Sequence, residues 1–368
     1  MKERFSGVII VTCMLSLFAG VVGALIGTVT FSTLPVTDID TLALLKNRRT
    51  NASASDIQWD ALQNTIRASA VIVPTNVVGS GDIFLSVDDR LAMGMVLTSD
   101  GVVVTMRSAI PDKFVLKPTD MSVVVGKKVY MVEKVTVDPF TGIAFLKITA
   151  KDLPVVDIAY DVEIASGDVL FAPTMRAENV LRVDFNGKEI RVGAKKFGVS
   201  TESLRSVFGV SDADEVIAGS MLVGRDGKVV GMMQGDGSAK YGVPLGSIST
   251  EIRSVLDNGI VSRPYFGAYT LPLEEAVVVA GAKEVLVRGE RVVNGPEGVA
   301  VKRRSPADVV GIVAGDVILT LGGESVSSRK LLADMIAEYE PGDRVRVGFE
   351  RAGKTMEVEV VLGAVPVR

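Results

Sequence analysis

The sequence predicts a mostly β protein: a barrel or sandwich, then a smaller α+β domain, with a membrane-spanning helix at the N-terminus. Three observations carry this. Between residues 82 and 235, short runs rich in Val, Ile and Leu (DIFLSV, GMVLTS, GVVVTM, MSVVVG, IAFLKIT, DVLFAP) alternate with turns such as Ser99-Asp100-Gly101 and Arg225-Asp226-Gly227. Many short strands so spaced imply a closed or sandwiched β architecture rather than a βαβ sheet. The C-terminal third mixes helix and strand signals, and residues 8–31 form an apolar run without charge.

That apolar run is long enough to cross a bilayer as a helix at about 1.5 Å per residue. Lys2 and Arg4 precede it, so residues 1–6 are expected inside, 7–31 in the membrane, and the remainder outside a bacterial cytoplasmic membrane. The alternative is a cleaved signal peptide ending near Val22-Gly23-Ala24, although the run continues past it through LIGTVTF. Residues 32–58 are polar and weakly patterned, as a linker would be.

The first domain is expected over 59–259. It starts with a helical pattern from Trp59 to about Arg67, followed by the strand SAVIVPT. It closes on the amphipathic segment Ile248–Asn258, which Gly259 stops. The second domain is expected over 262–368. Ser305 and Pro306 supply an N-cap and first turn for a short helix. Strands follow at VILTL, RVRVGFE and TMEVEVVL. A helix from about Ser328 to Tyr339 places Leu331, Leu332, Met335, Ile336 and Tyr339 on one face. Residues 276–295 carry two apolar stretches that read either as a decorating hairpin or as an interaction edge.

Composition narrows the chemistry. The chain has no histidine, so the commonest general base and the commonest transition-metal ligand are both missing. Its one cysteine, Cys13, lies in the apolar run, which leaves no disulfide framework and no cysteine metal site. No metal and no cofactor are expected. A net charge of -4 gives no general attraction to nucleic acid.

Five segments, in order, resemble the HtrA/Deg serine proteases. SDGVVVTMRSAI looks like the segment around that family's catalytic histidine. VDPFTGIAFLKI is similar to the stretch holding its aspartate, and VIAGSMLVGRDGKVVGMM to the serine loop and the hairpin behind it. YGVPLGSISTEIRSVLDNGIVSRPYFGA resembles the last strand, the closing helix and the start of the PDZ domain. SPADVVGIVAGDVILTLGGESVSS with EPGDRVRVGFERAGK resembles a PDZ domain of the bacterial, circularly permuted kind. The resemblance covers about residues 60 to 368. It implies a trypsin-like double β-barrel followed by an α+β PDZ domain.

The departures bear on function. Aligned on Thr105, the family's histidine falls on Ser108. Aligned on Asp138 and Thr141, its aspartate falls on Gly142. Aligned on Leu222 and the Asp226-Gly227 turn, its nucleophilic serine falls on Ala218, and its oxyanion glycine on Val216. A serine hydroxyl needs a base within hydrogen-bond reach, and without histidine no Ser–His couple can be built. A serine–lysine pair, Ser108 or Ser220 with Lys195 or Lys196, is the remaining route to an active endopeptidase.

The resemblance also implies a peptide site. In Tyr265-Phe266-Gly267-Ala268, the backbone N–H groups of Phe266, Gly267 and Ala268 would hold a peptide's C-terminal carboxylate. The peptide would add as a strand beside 266–271, its last side chain in a pocket of Phe266, Ala268, Leu332 and Met335. The expected partners are peptide C-termini, or unfolded or partner proteins, in envelope protein quality control. The membrane is a further partner through the N-terminal helix, and assembly as a homo- or hetero-trimer another. A purely structural or assembly subunit is the competing reading.

Overall fold

In a computed structural model, the described residues are 57–78, 89–160, 164–174, 180–190, 198–211, 213–235, 240–273, 289–327 and 330–365. The expected membrane segment, the linker up to residue 56, Lys195 and Lys196, and most of the 276–295 insertion lie outside them. No described helix is long and apolar enough to cross a membrane.

The first element among the described residues is α1 (Trp59–Ile66), whose Leu62 and Ile66 are buried. Strands β1 (Ser69–Pro74), β2 (Ala92–Val96), β3 (Val102–Met106), β4 (Met121–Val125), β5 (Lys128–Val137) and β6 (Ile143–Ile148) close a barrel in the order β1-β2-β3-β6-β5-β4. A short helix, α2 (Asp112–Leu116), precedes β4. Alternate β-branched and aliphatic side chains turn inward, so Ile72, Val96, Val103, Met121, Val123 and Leu146 form one core.

The second barrel comprises β7 (Val169–Pro173), β8 (Val180–Ile190), β10 (Ser206–Ser211), β11 (Met221–Val223), β12 (Val229–Gly235) and β13 (Lys240–Pro244). They close in the order β10-β13-β12-β11-β7-β8. Phe185 and Phe208 meet edge to face in its core, centroids 5.1 Å apart. Between the barrels, Leu62, Met95, Met106, Phe145, Met221 and Met232 join Ile252 of α3 (Ser249–Asn258) in one buried cluster. Burial of side chains this size contributes about 1.5–3 kcal/mol each. The helix stops where expected, on Gly259 at φ 67.

The C-terminal domain holds β14 (Pro264–Tyr265), β15 (Tyr269–Pro272), β16 (Glu290–Val292), α4 (Pro306–Val309), β17 (Val317–Leu321), β18 (Glu324–Ser325), α5 (Leu332–Ala337), β19 (Arg344–Arg351), β20 (Lys354–Val361) and β21 (Gly363–Ala364). Ser305 caps α4, its Oγ accepting from Asp308 N at 3.2 Å. The second helix, α5, is shorter than its periodicity predicts: it starts at Leu332, with Leu331 extended at ψ 153. The sheet runs β20-β19-β17-β16-β15 and then takes one further strand, β9 (Val199–Ser200). That strand comes from the segment joining β8 to β10 of the second barrel.

Candidate functional site

The positions aligned with a catalytic triad lie at the junction of the two barrels. Arg107–Ala109 forms a single helical turn after β3, and Arg107 N donates to Gly142 O at 2.8 Å. This sets exposed Ser108 beside the Asp138–Gly142 turn. Asp138, fully buried, builds that turn. Its carboxylate accepts from Phe140 N (2.9 Å) and Thr141 Oγ1 (2.6 Å), and Gly142 N donates to its carbonyl (3.1 Å). Gly142 sits at φ 72, and a Cβ there would face the Gln234 amide. Gln234 in turn lines a 190 Å³ cavity with Ala218, Val216 and Lys240. Ala218 is tied to the first barrel by Met93 N donating to its carbonyl at 3.0 Å.

Ala218 offers no nucleophile. The N–H of Val216, aligned with an oxyanion donor, donates to Ala213 O at 3.0 Å inside its own turn, and the Val216 side chain is buried in the second barrel's core. Lys240, the cation of this cavity, places its Nζ on the carbonyls of Ala213 (2.9 Å) and Asp214. Ser220 is 1 % exposed and its Oγ has no partner among the described residues. No substrate atom reaches it there. The described residues contain no cluster of three or more potential metal ligands.

Asp138 has a second role that sequence reasoning missed. Its Oδ2 also accepts from Arg263 Nη1 at 3.2 Å, and Arg263 Nε lies 3.3 Å from Glu251 Oε1, close but out of line for a hydrogen bond. The three side chains form a buried ionic cluster joining the first barrel, α3 and the lead-in to β14. Burial pushes the Glu251 carboxyl from an ordinary 4.5 up to about 7, against the opposing pull of Arg263.

The PDZ loop brings the predicted binding residues together. Gly267 at φ 86 makes the tight turn, and a Cβ there would strike the Ser305 side chain and the Tyr265 hydroxyl. Tyr265 is half-buried and pairs with Gly363 in the β14–β21 ladder. Phe266, Ala268, Leu332 and Met335 meet as expected, yet all four are buried in the domain's own core. The loop N–H groups carry bonds within the chain. Phe266 N (3.1 Å) and Gly267 N (2.9 Å) both donate to Glu202 Oε1, and Ala268 N donates to Thr201 Oγ1 at 3.3 Å. Glu202 and Thr201 were not legible as site residues, because nothing in their local pattern distinguishes a short loop strand.

A family model described as a PDZ domain matches residues 278–362. The chain is 25% identical over 281 residues to a probable periplasmic serine endoprotease DegP-like of Bartonella henselae, covering 74% of this chain and 53% of that protein. It is 24% identical over 294 residues to the serine endoprotease DegS of Haemophilus influenzae, covering 76% of this chain and 78% of that one. The matched region thus spans about half the length of the DegP-like relatives. Among solved structures, the HtrA-type protease AlgW with decapeptide superposes with a TM-score of 0.57 at 19% identity, over 84% of this chain and 99% of AlgW. Two barrels, a C-terminal PDZ domain and these relatives agree: the chain is similar to the HtrA-type serine proteases and carries a PDZ domain.

Proposed function

We propose that this chain is a membrane-anchored, proteolytically inactive HtrA-like protein that binds peptide C-termini or partner proteins through its PDZ domain in envelope protein quality control. One observation carries the inactive reading. Ala218 stands at the nucleophile's position beside Val216, whose N–H is already bonded to Ala213, in a chain without histidine. A nucleophile, a base and an aimed oxyanion donor act as a unit, and each removal costs orders of magnitude in rate.

Peptide binding is supported by the Phe266–Ala268 loop, where the N–H groups of Phe266 and Gly267 converge on one carboxylate oxygen, and by AlgW, solved with a decapeptide and with a tripeptide. The uncharged run before residue 32 supports the anchor. The names of the DegP-like relatives support an extracytoplasmic setting.

The test uses the full chain. Serine-directed fluorophosphonates should not label it, and unfolded casein should remain intact. Labelling at exposed Ser108 that Ser108→Ala removes would refute the inactive reading. Peptides with a free C-terminus should bind more tightly than their amidated forms. Equal binding would leave the barrel-and-PDZ assembly as a structural subunit.

A further inference from the structure

The groove beside the PDZ loop is filled by the chain itself. After the second barrel's β8, residues 198–206 cross to the PDZ domain before returning as β10. Val199 and Ser200 pair antiparallel with Thr270 and Tyr269 of β15, Gly198 N donates to Asn294 O (2.9 Å), and Thr201 N to Ala268 O (2.9 Å). This is how a ligand strand adds to a sheet edge. At its end the Glu202 carboxylate sits on Phe266 N and Gly267 N, where a peptide's terminal carboxylate is expected.

A turn closed by Ser203 N on Ser200 O then directs Arg205 inward. Arg205 is fully buried. Its Nη1 meets Glu290 Oε2 at 2.8 Å and Thr270 Oγ1 at 3.3 Å. The other oxygen of Glu290 accepts from Leu332 N at 2.8 Å, at the start of α5, and Ser206 Oγ reaches Asp334 on the same helix. The segment therefore touches the loop, β15 and α5, all three walls of the groove.

Its two charged ends set the terms of exchange. Removing it uncovers two N–H groups that have lost a carboxylate. It also leaves Glu290, 1 % exposed, without its cation, and an uncompensated buried charge is strongly unfavourable. Arg205 is itself incompletely held, since Nε and Nη2 have no partner among the described residues. An apolar peptide terminus would replace the first charge and abandon the second.

We propose that residues 199–206 are the resident ligand of the PDZ groove, and that a peptide displacing them brings both a free C-terminal carboxylate and a basic side chain. The carboxylate takes the place of Glu202 and the cation that of Arg205 on Glu290. This rests on the peptide-binding reading above and names its ligand class.

The experiment titrates fluorescent peptides into the full chain, with Arg placed in turn at each of the last positions and Leu as the comparison. The best Arg peptide should bind about tenfold or more tighter than its Leu counterpart, as expected for a charge-assisted bond in a buried site. Glu290→Gln should erase that preference. Glu202→Ala, checked for an intact melting transition, should tighten binding of both peptides several-fold and speed amide exchange at Phe266 and Gly267. An Arg preference absent at every position, or one that survives Glu290→Gln, overturns the ligand class. Unchanged affinity and unchanged exchange in Glu202→Ala overturn the resident ligand while leaving peptide binding intact. If neither protein binds any peptide, the peptide-binding reading falls and the ligand class with it. The exchange data then uphold the resident segment if the loop amides are freed, and overturn it if they are not.

Discussion

Glu251→Gln should flatten the pH dependence of stability between mildly acidic and neutral pH. In the native protein the Glu251 carboxyl is buried at 1 % exposure, neither oxygen has a hydrogen-bond partner among the described residues, and its pKa is pushed from 4.5 up to about 7. A raised carboxyl favours the protonated native state. Its stabilising effect is therefore full below pH 4.5, is lost progressively as the pH rises, and is gone above about 7. At about 1.4 kcal/mol for each tenfold change in proton affinity, the interval is worth about 3 kcal/mol. Glutamine mimics the neutral form at every pH. The variant should match the wild type near pH 4.5 and exceed it by up to about 3 kcal/mol at pH 8, with Arg263 still held by Asp138. Denaturant unfolding of both proteins across this range gives the difference directly, and groups common to both cancel. A flat difference curve, or a variant less stable than wild type at pH 8, would refute the reasoning.

Three further outcomes are expected. Gly267→Ala should destabilise the PDZ domain by about 1–3 kcal/mol, because φ 86 excludes a Cβ that would also strike Ser305; unfolding monitored at Tyr residues, with amide exchange of the loop, checks it. Ser305→Ala should cost about 1 kcal/mol through loss of the N-cap bond to Asp308 N, read from the denaturation midpoint. Ala218→Ser should gain neither fluorophosphonate labelling nor casein cleavage, because the new hydroxyl would find no histidine and the Val216 N–H is already engaged.

The architecture was legible where burial imposes composition. MSVVVG and IAFLKIT stand out as short apolar runs because nearly every residue of each strand is buried, and Gly259 ends α3 for a conformational reason that glycine alone advertises. Thr105, Asp138 and Leu222 are the marks on which Ser108, Gly142 and Ala218 are aligned, and Gly142 closes the turn that Asp138 builds. What escaped was long-range and ionic. Arg205 and Arg263 look in sequence like ordinary exposed arginines, and only their carboxylate partners 85 and 125 positions away explain their burial. Likewise β9 spans two residues, too short for alternation to declare itself, so its membership in the PDZ sheet follows from tertiary contact alone.

On the proposed inactive reading, these missed residues give a physical reason for a double barrel to be kept without its chemistry. Two buried ionic groups cross from the barrels into the PDZ domain. Asp138 and Glu251 hold Arg263 just before the binding loop, while Glu202 and Arg205 engage the loop and Glu290 from the other side. Replacing one partner of the hydrogen-bonded pairs Asp138–Arg263 or Arg205–Glu290 strands a buried charge, at about 3–5 kcal/mol, so each of these barrel residues is constrained by its partner across the junction and the reverse. The same Asp138 carboxylate that shapes the turn at Gly142 also fixes Arg263, three residues before Phe266. A change at the groove is thus physically connected to the junction where catalytic groups would stand, through a contact that requires neither histidine nor serine. On the proposed function, selection on the barrels would act through this clamp and the strand they lend to the PDZ sheet, and would relax at Ser108, Gly142 and Ala218.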